Sequence, residues 1–364
     1  MINYIKVFNV AFGDCFIIDE NDFKLLIDCG SMTSERKNMV TQSVDAEMSV
    51  KKEKYGILSH FHKDHYKYLM DLKTRFSNFY CPNFITKVDI GIFVMTLLLS
   101  SPQNQIYQDA KSFLEIAKIP EIMDSNGIIF FVSTLTKRII NNNYRILWPP
   151  RNVSQNDNIL YQTLINKFTE QQQQLINDFI DHYLSFFENT ETSVNEPRLT
   201  QNGLEQFYSI IPPKINDLIN QIQPQLSLSS DEIESLRNHQ NEFCLVFDNT
   251  SSEKSVLFLS DIDKNNFENN IKTKLLNNYW IIKIAHNGTF RHFTNKLPDS
   301  KYKIIPNSFY KNTSWGITAD YPNNYASKFI CTNNSNCQYY LANGKKCLSS
   351  YKCGINNTFF ETIV

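Results

Sequence analysis

An α/β fold is predicted from three observations. Apolar runs of strand length alternate along the chain with segments whose apolar residues recur at helical spacing. With 364 residues and 42% hydrophobic content, the chain can bury one large core, or a core plus an added subdomain. The longest apolar run, residues 90–99, has about half the length needed to cross a bilayer, so no membrane partner is expected. Residues 1–14 (MINYIKVFNVAFGD) lack the basic and then uninterrupted apolar pattern of a secretory leader because Lys6 and Asn9 break it. A cytoplasmic location is therefore expected.

Residues 4–18 (YIKVFNVAFGDCFII) and 24–27 are predicted as strands of a hairpin, with Glu20, Asn21 and Asp22 in the turn. Residues 55–59 (YGILS) form a short buried strand that feeds into SHFHKDHYKYL, residues 59–69. This stretch puts His60, His62, Asp64 and His65 into six positions of a chain with only seven histidines. Imidazole nitrogens and carboxylate oxygens are ligands for borderline cations such as zinc, manganese or iron. On extended backbone, His60 and His62 face the same way. Asp64 and His65 lie one turn further on, at the start of a helix continuing through Tyr66, Leu69 and Leu72, and address a second point nearby. The spacing suits two metal ions. One or two neighbouring histidines would be ordinary; three with an aspartate directly after an apolar strand are not.

Further along, residues 88–98 fit a strand or a short buried helix, 109–119 an amphipathic helix, and 127–132 and 145–150 strands. Residues 157–238 change composition, with apolar residues at helical spacing among many Gln and Asn, and Glu196-Pro197 and Pro212-Pro213 are predicted as breaks. This segment carries twelve acidic and four basic side chains, whereas the whole chain has a net charge of −1. The remainder is therefore basic, which would attract an anionic substrate, nucleic acid included, or serve only as a solvated surface. Residues 241–247, 255–260 and 279–285 are predicted strands; Asp261 follows the second and His286 the third. Cys331, Cys337, Cys347 and Cys353, spaced C-x5-C-x9-C-x5-C, are expected as reduced thiols, with a structural zinc as the alternative. Cys15, Cys29, Cys81 and Cys244 fit small buried residues, and His182 an ordinary helix position.

The HxHxDH pattern of His60, His62, Asp64 and His65 resembles the metallo-β-lactamase superfamily. Val10, Gly13, Asp14 and Ile17, then Leu26, Ile27, Asp28 and Gly30, resemble the opening of its competence-type, DNA-uptake subgroup. Leu147 and Pro149, Asn241 with Leu245 and Val246, and His286 with Gly288 add shorter matches; Ala11, Cys244, Asn287 and Thr289 depart from that pattern. The resemblance implies an αββα sandwich with the metals at one edge. Residues 1–150 would form its first part, 151–238 a helical insertion, and 239–364 its second part with the Cys-containing C-terminal segment.

The resemblance also implies a ligand set. His60, His62 and His239 would hold one divalent cation, zinc or manganese, and Asp64, His65 and His286 a second, with Asp261 bridging them. Catalytic roles would fall to Asp64, orienting the attacking water, and Asp261. Gly13 and Gly30 would allow tight turns near the metals, and Asp28 would support the histidine loop from behind. Asn287 cannot act as the subgroup's second histidine, a role open to Arg291 or His292. The implied activity is metal-dependent hydrolysis, with phosphodiesters as the first substrate class and lactones or thioesters as the alternative. A partner-binding protein, for example of a bacterial defence operon, whose insertion docks a protein and whose metal site is regulatory or degenerate, is the third expectation.

Overall fold

The computed structural model describes residues 1–115, 119, 122–150, 152–188, 196–222, 228–250, 253–289, 292–306, 324–331, 351–353 and 360–364. Its strands are β1 (Ile2–Phe8), β2 (Cys15–Glu20), β3 (Phe23–Cys29), β4 (Glu53–Ile57), β5 (Phe76–Pro82), β6 (Met123–Val132), β7 (Arg138–Ile139), β8 (Tyr144–Trp148), β9 (Arg198–Thr200), β10 (Val246–Asn249), β11 (Val256–Phe258), β12 (Asn278–Lys283), β13 (Asp299–Ile305), β14 (Lys328–Cys331), β15 (Tyr351–Cys353) and β16 (Phe360–Ile363). Its helices are α1 (Lys37–Met48), α2 (Lys63–Tyr66), α3 (Lys87–Leu99), α4 (Gln105–Glu115), α5 (Gln155–Ile165), α6 (Glu170–Leu184), α7 (Gln201–Gln221), α8 (Ser230–Glu242) and α9 (Lys264–Asn266).

Among the described residues the strands form two eight-stranded sheets, ordered β16-β1-β2-β3-β4-β5-β6-β9 and β15-β14-β13-β12-β11-β10-β8-β7. Side-chain alternation fixes how they stack. On β1, Ile5 and Val7 enter an apolar cluster shared with Phe247, Phe258 and Ile281 of the second sheet, while Phe8 faces the opposite way. That opposite face carries α1 and α3 through α8, contributing Val44, Phe93, Phe113, Tyr161, Ile180, Phe207 and Leu236. The outer face of the second sheet packs Leu257, Ile282 and Ile305 against Ile262, Phe267 and Ile271 around α9. The layers therefore run helix, sheet, sheet, helix: a mixed α/β sandwich in the αββα order.

Several elements differ from expectation. Residues 4–18 are not one strand: β1 and β2 are separated by a turn in which Ala11 takes φ 70° and Gly13 φ 150°. Of the two alternatives for residues 88–98 the helix is found, α3, capped by the Thr86 hydroxyl accepting from Asp89 N and buried on nearly all sides because α4, α5, α6 and α7 pack around it. The helix after the histidines ends at Tyr66, and a separate 3-10 turn covers Leu69–Asp71. Pro212 and Pro213 do not break α7. Both lie on its outward side, where freed carbonyls can meet water, while Ile211, Ile215 and Leu218 anchor the other side in the core. Residues 241 and 242 still belong to α8, and the strand expected from 241 begins only at Val246. The segment between β8 and β10 also contributes a strand, because β9 pairs with β6 at the edge of the first sheet.

Parallel neighbours β3, β4 and β5, and likewise β11 and β12, bring their carboxyl ends to one edge. The two sheets touch there: Leu245 N donates to Ser59 O at 2.6 Å, and the Ser260 hydroxyl donates to the Ser59 hydroxyl at 2.9 Å.

Candidate metal centre

Two glycines let the backbone converge at this edge. A Cβ on Gly13 would lie 2.3 Å from Gly30 O and 2.4 Å from Asp64 O, and one on Gly30 would lie 2.5 Å from both His65 C and Tyr66 N. Asp14 N donates to Asp64 O and Gly30 N to Asp14 O, each at 3.0 Å. The loop before β2, the end of β3 and α2 are thus bound through their backbones. Asp28, Ser260 and His286, at the ends of β3, β11 and β12, hold left-handed φ angles of 53°, 45° and 43°. For non-glycine residues this strain costs about 1–3 kcal/mol each, which the surrounding contacts offset.

His60 is fully buried. Its Nδ1 faces Phe243 O, just past α8, at 2.9 Å, and its Nε2 lies 2.8 Å from His62 Nδ1. Burial, and then His62 beside it, hold the His60 pKa well below the usual imidazole range, which favours the neutral ligand form. His62 Nε2 lies 3.5 Å from Asp109 Oδ2 on α4. His65 is oriented from behind: Asp28 Oδ2 lies 2.9 Å from its Nδ1, and Asp28 in turn accepts from Ser59 N at 2.6 Å and the Ser59 hydroxyl at 2.5 Å. That leaves His65 Nε2 facing Asp261 at 3.4 Å and Asp64 at 3.9 Å. Burial opposes a charge on His65, but Asp261, Asp28 and Asp64 outweigh it and raise its pKa well above the usual range.

Asp261 stands between the two groups of histidines. One of its oxygens lies within 4.8 Å of ligand atoms of both His60 and His62, while Oδ2 is 3.4 Å from His65 Nε2 and 3.9 Å from His286 Nε2. Asp14, Asp28 and His65 also cluster within 4.8 Å, but Asp28 already binds Ser59 and His65 Nδ1, so this group supports the imidazole from behind.

The structure therefore brings together His60, His62, Asp64, His65, Asp261 and His286. It does not bring His239 to them. His239 lies within α8, not in a loop, and its Nδ1 is taken by Asp157 at 2.8 Å, with Asp89 3.8 Å from its Nε2. Arg291, Cys337 and Cys347 lie outside the described residues. His292 is described; its ring stacks on His286 at 4.1 Å, and the Thr289 hydroxyl lies within 3.1 Å of both Nδ1 atoms. Cys331 and Cys353 stand opposite each other in the backbone register of β14 and β15. The cysteines at 15, 29, 81 and 244 are buried, and His182 occupies the last turn of α6.

The donor set fits divalent cations on two counts. His62 Nε2, His65 Nε2 and Asp261 Oδ1 are buried without a close hydrogen-bond partner, the two nitrogens having only carboxylates at 3.4–3.5 Å, and a cation among them would complete all three. Asp14, Asp28, Asp64 and Asp261 are each less than a tenth exposed, and Lys283, the buried lysine beside them among the described residues, cannot balance four carboxylates. Lys283 and Asp109 were not singled out from the sequence. A lysine inside the apolar strand YWIIKIA was the available signal, since a buried ammonium requires an anionic partner.

No protein-family model and no curated protein matches the chain. Among solved structures, it is similar to the metallo-beta-lactamase fold protein YhfI from Bacillus subtilis, with 10% identity and a TM-score of 0.36 over 90% of this chain and 96% of that one. It is also similar to a protein of unknown function from Enterococcus faecalis V583, with 12% identity and a TM-score of 0.20 over 39% and 36% of the two chains. At these TM-scores neither likeness decides the fold, which rests on the layer order described above. Among the described residues, no helix is long and apolar enough to cross a membrane.

Proposed function

We propose that this chain is a metal-dependent hydrolase whose substrates are phosphodiesters, nucleic acid among them. The observation that carries this is the placement of the Asp261 carboxylate between two histidine groups, His60 with His62 and His65 with His286, each with ring nitrogens within 4.8 Å of it. His60 and His62 would hold one divalent cation, and Asp64, His65 and His286 a second, with Asp261 serving both. Such cations supply Lewis-acid polarisation of a phosphoryl oxygen and acidify a water to a nucleophile near neutral pH. The chain's own residues supply the rest. Phe243 O and Asp28 orient His60 and His65 by their Nδ1 atoms, turning His60 Nε2 toward His62 and His65 Nε2 toward Asp261. Asp64, at the first turn of α2, accepts a proton from the attacking water.

The phosphodiester assignment is favoured by the basic balance outside residues 157–238, which attracts an anionic substrate. A docking role for the insertion has less support: its large apolar side chains pack inward, and among the described residues Ile159 is its one exposed large hydrophobic.

The test is hydrolysis of bis(p-nitrophenyl) phosphate with manganese or zinc, comparing the unaltered chain with Asp261→Asn. Nitrophenol release reduced by about a hundredfold or more in the variant is expected. An equal rate in both, or no release from protein shown to carry metal, would overturn the reading.

A further inference from the structure

We propose that Lys283 is a positioning residue of the metal centre: its ammonium joins the two sheets at Asp14 and the Ser260 carbonyl, and so holds His65, Asp261 and His286 around the second metal position. The inference rests on the metal-centre reading above and adds a residue to it.

On β12, Ile281 enters the cluster between the sheets and Ile282 the cluster outside, so strand alternation turns Lys283 inward between the sheets. Its side chain is 1% exposed. An apolar chain of similar length would fill that space without the several kcal/mol needed to desolvate an ammonium. The charge is used in contacts that cross between elements. Nζ donates to Asp14 Oδ2 at 2.5 Å, on the loop leading into the first sheet, and to Ser260 O at 3.2 Å, the residue before Asp261. Leu259 N donates to the Lys283 carbonyl at 3.3 Å, a second tie between the ends of β11 and β12.

Asp14 passes this constraint on. Its Oδ2 lies 3.7 Å from His65 Nδ1, and its backbone is bonded to Asp64 O and Gly30 N. Asn287, next to His286 and at φ 54°, is 1% exposed, and its amide faces Asp14 Oδ1 and Pro306 O, two acceptors that the amide nitrogen satisfies at 3.3 Å and 2.8 Å when it takes that side. Asp14 thus faces one donor from the end of β12 and an amide from the turn that carries His286. Where the resembled subgroup has a second histidine, this chain has an amide turned toward the carboxylate that Lys283 binds.

The test uses the metal-free full-length chain, titrated with cobalt(II) and followed by visible absorption and by bound-metal stoichiometry. The double variant Lys283→Met with Asp14→Asn removes both charges of this pair together, so that neither partner is left buried without the other. The first equivalent is expected to bind within about threefold of the unaltered chain and the second about 10–100-fold more weakly, with metal-free Tm little changed. Two equivalents bound at unaltered affinity would overturn the proposal. Should the double variant not fold, Asn287→Gly decides: glycine accepts φ 54°, no charge changes, and an unaltered second equivalent would again overturn it. An unaltered chain that binds fewer than two equivalents overturns this proposal together with the two-metal reading. One that binds two and cleaves no phosphodiester removes only the hydrolase reading.

Discussion

His239 illustrates what distinguishes a metal ligand from a structural histidine. Its ring is buried against Phe93 and Phe243, and Asp157 and Asp89 flank its two nitrogens. Burial opposes its charge, yet these carboxylates raise its pKa, so the protonated ring is favoured within this buried cluster of charges. His239→Gln is expected to leave cobalt stoichiometry unchanged while lowering stability by about 1–3 kcal/mol, because the two carboxylates lose their partner. Loss of a metal equivalent at unchanged stability would contradict this placement. His60, by contrast, shares its segment with His62 and His65, and among the described residues its Nδ1 faces the Phe243 carbonyl and no carboxylate. For the same reason, local spacing alone points to the 60–65 stretch, whereas the environment of a lone histidine such as His239 depends on residues some 80 to 150 positions away in the chain.

At the scale of elements, α1 is attached to the first sheet by a polar cluster. Glu47 accepts from Lys6 on β1, Lys24 on β3 and the Tyr4 hydroxyl, and Lys24 Nζ also lies 2.8 Å from that hydroxyl. Burial works against the Glu47 charge, but these donors outweigh it and bring its pKa down from 4.5 to about 2. A carboxyl whose folded pKa is depressed stabilises the fold above its unfolded pKa and loses that contribution as pH falls through the folded value. Stability is therefore expected to decline between about pH 4.5 and pH 2. Glu47→Gln should be less stable at pH 7 and flatter across that window, as measured by urea unfolding at each pH; parallel curves for the two proteins would refute the assignment. The strands of this region can be read from their apolar runs, but Lys6 and Lys24 gave no sign of sharing a carboxylate, because their meeting depends on strand register and on where α1 lies.

Over the whole molecule, the segment between β8 and β10 is part of the main core. Phe207 on α7 is fully buried, with ring centroids 5.1 Å from Tyr183 and 5.5 Å from Phe186, in the cluster that also contains Leu26, Phe79 and Phe113. The same cluster includes Phe243, whose carbonyl orients His60. Phe207→Ala is therefore expected to destabilise the chain by about 3–5 kcal/mol and to shift one cooperative unfolding transition. Two separate transitions, with only one displaced, would show the segment to be an independent unit.

The sequence by itself determined what short-range pattern controls: the apolar strands, the histidine stretch after β4, and the aspartate and histidine at the ends of β11 and β12. Those features depend on residues within a few positions of one another, where periodicity and spacing act directly. The tertiary structure alone decided that α3 is a helix enclosed on nearly all sides, that α7 continues through two prolines, and that β9 extends the first sheet. It alone placed His239 in an ion cluster and Lys283 across the two sheets. Each of these depends on which distant surface covers a residue, and burial and charge pairing exist only once the layers have closed on each other.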